Sequence, residues 1–351
     1  MTAEEAESME EVTGLEPLSA VPTVEELKER VAQYEEVPKK LLIDEPVSKK
    51  AEPGKTIAWM TCGVPVCEEI EQAGAEAASK LGWKVEKIDL GVSPEDFANA
   101  YTRVVGLKPD LVVGSGLSRE LFNTQLEELK KEGVPVLMYA GPDPPGNGIT
   151  GNILAKYSYF SRGMITAEAI AADSELKGQV VMFNVTQYAG STVYAETIEN
   201  YLGKICPECS LTTENEQVTQ VGKMGATVTG YVQAHPETKY VICTFGDLCQ
   251  GVGQALKAAG SGDVKILSTD PSTISYANIA AGLEYATIPL PNGQTGWQIV
   301  DAAQRIFNKQ SLKATLNYPQ QLVTEVSEPK SPLIGAVPNY QSEYEKLWLL
   351  H

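Results

Sequence analysis

The stretch LVVGSGLSRELFNTQLEELKKEGVPVLMYAG (111–141) decides the fold. Its two ends, LVVGSG (111–116) and VPVLMYAG (134–141), are apolar runs too unbroken for strands with one wet face. Between them SRELFNTQLEELKKEG (118–133) reads as a helix. Strands that alternate with helices in this way predict a parallel sheet covered on both faces.

The same alternation extends in both directions. Upstream, KTIAWM (55–60) leads to a helix at about 67–81, and KVEKIDL (84–90) leads to PEDFANAYTRVVGL (94–107), where Pro94 suits a first helical turn. Downstream, the Gly/Pro-rich GPDPPGNG (141–148) is a loop, after which the pattern restarts. Helices are expected at 159–176, 191–205 and near 222–234, then at GVGQALKAAG (251–260), SYANIAAGL (275–283) and QTGWQIVDAAQRIFNK (294–309). Strands are expected at QVVMFNV (179–185), within SLTTENEQVTQ (210–220), and at YVICTFG (240–246), VKILSTD (264–270) and YATIPL (285–290). The fold class is therefore α/β, with two doubly wound parallel-sheet units in tandem. Residues 1–50 are acidic and broken by Pro17, Pro22, Pro38 and Pro46, an arm with one short helix at TVEELKERVAQYEE (23–36). Thr23 caps that helix, and Glu26 completes a capping box.

Length and composition narrow the function. The 351 residues suffice for two domains, and 43 % hydrophobic residues fill real cores. A net charge of −18 opposes nucleic acid, whose phosphates need a basic surface. No apolar run reaches the ~20 residues that span a bilayer. MTAEEAESMEEVTGLEPL (1–18) is acidic where a secretory leader is basic and then apolar. The chain is thus either cytosolic or a mature protein whose leader has been cut away.

Six cysteines fall as near neighbours: Cys62/Cys67, Cys206/Cys209 and Cys243/Cys249. A reactive CxxC needs a helix N-terminus to lower its thiol pKa. Cys206-Pro207-Glu208-Cys209 instead follows a helix, beside a carboxylate. A zinc site needs four converging ligands, which only the second and third pairs could supply by meeting. Three local disulfides are the favoured reading. Loops this short gain roughly 2 kcal/mol each from closure, so the bridges act mainly by fixing turns. They imply an oxidising compartment, hence a removed leader and an extracytoplasmic location.

Catalytic motifs are missing. There is no HExxH, G-x-S-x-G, Walker A loop or G-x-G-x-x-G at the first helix, and the G-x-G of GVGQALKAAG lies inside a later helix. His235 sits in a polar loop and His351 is the last residue. Asp247 and Asp270 read as turn or cap residues, and an enzyme would require them to be close together with shifted titration. No cofactor, metal or catalytic residue is expected.

The order of KTIAWMTCGVP, KPDLVVGSG, GVPVLMYAG, SRGMITAEAI, GQALKAAG, KILSTD and TIPLPNGQTGWQIVDAAQRIF across 55–326 resembles the type I periplasmic binding proteins, closest to the sugar-binding, LacI-like branch. The resemblance implies two lobes joined by a three-segment hinge, with crossings near 153–158, 286–290 and 320–323. The first lobe would be 51–155 plus 289–321, and the second 156–288 plus 322–351. The acidic arm lacks the helix-turn-helix of the repressor branch. The implied function is capture of a small-molecule ligand for an ABC importer, whose permease is the partner. The protein would be a monomer, tethered at the membrane by a lipid anchor removed or absent from this chain, with a sugar-binding member of the same family or a receptor-docking sensor as the alternatives.

Ligand contacts belong at the strand carboxyl ends. The first lobe would supply Val64, Pro65, Val66, Ser115, Gly116 and Tyr139, and the second Asn184, Thr186, Tyr188, Ser191, Phe245, Asp247 and Asp270. Asn292 and Gln294 would reach in from a hinge-side loop. Cys62–Cys67 and Cys243–Cys249 would brace equivalent ligand loops, leaving Cys206–Cys209 structural. The family's sugar-binding carboxylates, Arg and Gln are replaced here by GSGLSR, YAGSTVY and TIPLPN, and proline follows Asp270 where glycine is usual. That drier lining implies a ligand less polyhydroxylated than a simple sugar.

Overall fold

Apolar runs become central strands, and mixed runs become edges. The computed structural model describes residues 9–62, 64–91, 93–154, 156–312 and 317–350. The first sheet contains β1 (Thr56–Thr61), β2 (Lys84–Asp89), β3 (Leu111–Ser115), β4 (Val136–Tyr139) and β5 (Gly151–Ile153), in the order β2-β1-β3-β4-β5. Every pairing is parallel. The second contains β6 (Gln179–Val185), β7 (Ser210–Glu216), β8 (Tyr240–Cys243), β9 (Lys265–Thr269) and β10 (Ala286–Ile288), ordered β7-β6-β8-β9-β10 and again all parallel. Both sheets thus repeat one winding, in which the strand order reverses beside the first strand. Central β3 and β8 are buried at every residue, whereas edge strands KVEKID and SLTTENE keep charged residues in water.

The helices are α1 (Val24–Tyr34), α2 (Pro65–Lys80), α3 (Pro94–Leu107), α4 (Asn123–Lys131), α5 (Lys156–Asp173), α6 (Ala189–Ile205), α7 (Met224–Ala234), α8 (Val252–Ala258), α9 (Thr273–Ala280), α10 (Asn292–Phe307) and α11 (Tyr340–Leu347). Thr23 Oγ1 caps α1 by accepting from Glu26 N at 3.1 Å. Ser93 and Asp96 close a full capping box on α3, and Pro94 between them sits at the first helical position.

The chain divides into two compact units. The first-sheet unit comprises Lys39–Lys156, Pro291–Pro319 and Ala336–His351, and the second-sheet unit Met1–Pro38, Tyr157–Leu290 and Gln320–Gly335. The chain therefore passes between them at 38/39 and 335/336, beyond the three crossings that the resemblance implied.

The end of the chain departs from the expectation that 322–351 joins the second lobe. Residues 336–351 belong to the first-sheet unit because α11 delivers three aromatic rings to Trp297 of α10. Trp348 stacks on Trp297 at 5.2 Å and 7°, Tyr340 meets it edge-on, and Trp348 Nε1 donates to Asp301 Oδ1 at 2.9 Å. A buried ring of this size removes roughly 150–250 Å² from water, a gross gain of about 4–6 kcal/mol. That outweighs any pull from sequence proximity to the other unit.

In the same unit α10 and α2 approach to backbone contact. A Cβ placed on Gly296 would stand 2.4 Å from Gly74 N and 2.6 Å from Ile70 O. Trp59 of β1 fills the space that a side chain at Gly74 would take. The two glycines therefore set how closely α10 lies over the sheet.

Candidate functional site

In the first-sheet unit the expected residues gather at the carboxyl edge. Ser115 and Tyr139 end β3 and β4 as register partners, and Gly116 N donates to Tyr139 O at 3.0 Å. Gly116 adopts φ +59, which turns the chain out of the strand. Val64 and Pro65 open α2 directly after β1, with Val66 buried behind them. Cys62–Cys67 bridges this turn with Cα atoms 5.7 Å apart. The β1 and β3 loops flank the point where the strand order reverses, which is where open α/β sheets bind ligands.

Asn292 and Gln294 differ from expectation. They lie in the first turn of α10, not in a loop, because the helix starts two residues earlier than the apolar pattern indicated. Asn292 Nδ2 donates to Glu69 Oε2 at 2.7 Å, and Gln294 Oε1 accepts from Val337 N at 2.8 Å. Both side chains thus hold their own unit together.

The second-sheet unit repeats the arrangement. Asn184 lies in β6, Thr186 follows its end, Tyr188 stands at the N-terminal boundary of α6 without a side-chain capping bond, and Ser191 occupies the helix's first turn. Phe245 and Asp247 follow β8, and Asp270 follows β9. Tyr188 meets Phe245 edge-on at 5.7 Å. Burial, reinforced by Asp247, pushes the Tyr188 hydroxyl up to about 12, so it stays a neutral donor. Cys243–Cys249 staples the β8 loop. This loop is the counterpart of the one after β3, not of the one after β1, so the two stapled loops stand on opposite sides of the switch point in their respective sheets. The third bridge, Cys206–Cys209, closes the end of α6, away from these edges.

The two aspartates have separate partners. Asp247 accepts from Ser272 Oγ at 2.5 Å. Asp270 pairs with Arg162, which also reaches Thr269 Oγ1 at 3.1 Å and Ser158 O at 3.0 Å and lies over the Tyr159 ring. Asp270 is left-handed at φ +48, a conformation Asp tolerates better than most residues, and Arg162 holds it there. Gly246 N donates to Asp270 O at 3.4 Å, joining the β8 and β9 loops.

Sequence reasoning missed Arg162, Ser272 and Glu284. Ser268 Oγ donates to Glu284 at 2.5 Å, beneath α9. Burial, with Asp247 adding to it, pushes the Glu284 carboxyl up to about 8. For Arg162 the signal was a charge inside the apolar run YFSRGMITAEAI, and for Ser272 the helix-capping PST. Ser115 Oγ and Asn184 Oδ1 are buried without a hydrogen-bond partner among the described residues. Among those residues no group of three or more His, Cys, Asp or Glu side chains is placed to hold a metal ion. No described helix is long and apolar enough to cross a membrane.

Comparison with curated proteins finds no sequence match. Solved structures match throughout the fold. The 5-methylthioribose transporter solute-binding protein of Thermotoga lettingae, in complex with 5-methylthioribose, is 16 % identical, covering 86 % of this chain and 100 % of its own with TM-score 0.71. The glucose-galactose binding protein GanP of Geobacillus stearothermophilus is 14 % identical, over 78 % and 98 %, with TM-score 0.68. An ABC transporter solute-binding protein of Agrobacterium vitis with bound allitol is 20 % identical, over 78 % and 96 %, with TM-score 0.67. At these identities the likeness establishes the fold. The profile of the family described as Periplasmic binding protein domain matches residues 57–311, most of the chain. The chain therefore belongs to the periplasmic binding protein domain family, whose members bind solutes and are not enzymes.

Proposed function

We propose that the protein works outside the cytoplasm, captures a small solute between its two units, and delivers it to the permease of an ABC importer. One observation carries this reading: near the carboxyl end of a strand beside each switch point, β3 in one sheet and β6 in the other, lies a buried polar atom with no hydrogen-bond partner among the described residues, Ser115 Oγ and Asn184 Oδ1. An unmatched buried polar group costs about 1–3 kcal/mol, and a ligand that hydrogen-bonds it recovers that loss. Closure requires the ligand to favour the closed form by touching both units. Three disulfides support an oxidising location.

The ligand we propose is less polyhydroxylated than a simple sugar. Tyr188 and Phe245 offer aromatic surface, and the Asp270 carboxylate is already engaged by Arg162. 5-Methylthioribose, the ligand of one structural neighbour, has this partly apolar character. The test is thermal shift against 5-methylthioribose, allitol, glucose, galactose and arabinose, with solution scattering on each hit. The largest stabilisation is expected from the partly apolar solute, with compaction on binding. A common hexose or pentose giving the largest shift overturns the ligand class. Absence of compaction with every solute, or recovery of a solute chemically changed, overturns the capture reading itself.

A further inference from the structure

Residues 9–50 lie ahead of the family-matched segment and are fastened at both ends. In the second-sheet unit the fastening is a buried charged socket. Arg30 Nε and Nη2 donate to the two Glu168 oxygens at 2.6 and 3.0 Å. The Tyr34 and Tyr201 hydroxyls donate to the same carboxylate at 2.8 and 2.7 Å. Burial and Glu168 hold both tyrosines above their ordinary range, so they remain donors. Leu18 N donates in turn to Tyr201 Oη at 2.8 Å.

The arm also grips the segment at which the chain re-enters this unit. Gln320 N donates to Val12 O at 3.0 Å, Leu322 N to Tyr34 O at 2.8 Å, and Gln321 Nε2 to Glu35 O at 2.9 Å. Val323, next along, is bridged to Thr287 of β10 in both directions.

Beyond Pro38 the arm belongs to the other unit. Arg305 Nη2 donates to Glu45 O at 2.5 Å, Val47 N to Leu347 O at 2.9 Å, and Ser48 N to Gln310 Oε1 at 2.8 Å, while Leu41, Ile43 and Val47 are buried. Only residues 39 and 40 separate Pro38, buried in one unit, from Leu41, buried in the other. Three residue steps reach at most about 10 Å when fully extended.

We infer that the N-terminal arm, whose passage at 38/39 adds to the four later ones, is a strap between the units that limits how far they open. The inference requires that the units move, as the capture reading does, but not that any particular solute binds. The test lengthens the strap without touching either anchor. A Gly/Ser insert of about eight residues between Pro38 and Lys39, where the chain passes from one unit to the other, adds roughly 25 Å of reach. A companion variant carries a protease site in the same place, so intact and nicked forms of one protein are compared. Native mass spectrometry reports whether the arm stays seated.

For a compact chain of this length the radius of gyration is about 20 Å, and the solute-free insert and the nicked form are expected to exceed the parent by about 1 Å or more. Scattering curves that superimpose for parent, insert and nicked protein overturn the strap, whether or not a solute compacts the parent. Compaction of the parent by a solute with no effect of the insert leaves the capture reading standing and removes this one. Opening on lengthening without compaction by any solute does the reverse.

Discussion

Arg162 illustrates how one residue can shape a site without being exposed to it. Its guanidinium is fully buried and divided among Asp270, Thr269 and Ser158. Arg162→Met leaves the Asp270 carboxylate buried without a counter-charge, and denaturant titration should show a loss of about 3–5 kcal/mol. Adding Asp270→Asn should restore part of it, and failure to do so in a double-mutant cycle refutes the pairing. Glu284 makes a pH prediction. Its folded pKa, raised to about 8, lies above the unfolded carboxyl value. The native state therefore binds the extra proton, and stability falls as pH rises from about 4.5 to 8. Glu284→Gln should flatten that slope in melting temperature against pH; an unchanged slope counts against burial of the ionisable form. The charge at Arg162 was visible in the sequence, but its partner lies 108 residues away, a pairing that local pattern cannot reveal.

Among elements, the long strands and helices were legible because their apolar runs and caps act locally. The strands around LVVGSG and VPVLMYAG and the helix between them all formed, although that helix is preceded by a short 3₁₀ turn at Arg119–Leu121. Three-residue β5 (GNI) was not legible, since it is a strand only by virtue of pairing with β4. Likewise α11 shows a mixed, polar pattern, and its identity comes from the aromatic contacts with α10. Gly296 tests the α2–α10 contact. Gly296→Ala directs a methyl into the backbone of Gly74, which cannot yield as a side chain would. Helix propensity alone predicts a gain for this change; we expect a loss of roughly 2–3 kcal/mol in urea unfolding. A stabilised variant would show that the helices have room to part.

For the whole molecule, the winding of two parallel sheets was readable from the alternation alone, and the type I resemblance agrees with the family found. The expected ligand residues are a mixture: Ser115, Gly116 and Tyr139 come together, as do Tyr188 and Phe245, whereas Gln294 serves its own unit's packing. The membership of 336–351 was not readable, because contacts made after two passages between units leave no trace in local spacing.

The aromatic stacking around Trp297 has an optical consequence. All four tryptophans, Trp59, Trp83, Trp297 and Trp348, reside in the first-sheet unit, and the other unit has none. Emission excited at the indole band therefore watches one half of the protein while the other stays dark, whereas circular dichroism reads both. If the halves melt independently, the two signals should yield separate midpoints without solute and converge when a bound solute couples them. Coincident midpoints in the free protein would mean that the halves unfold as one.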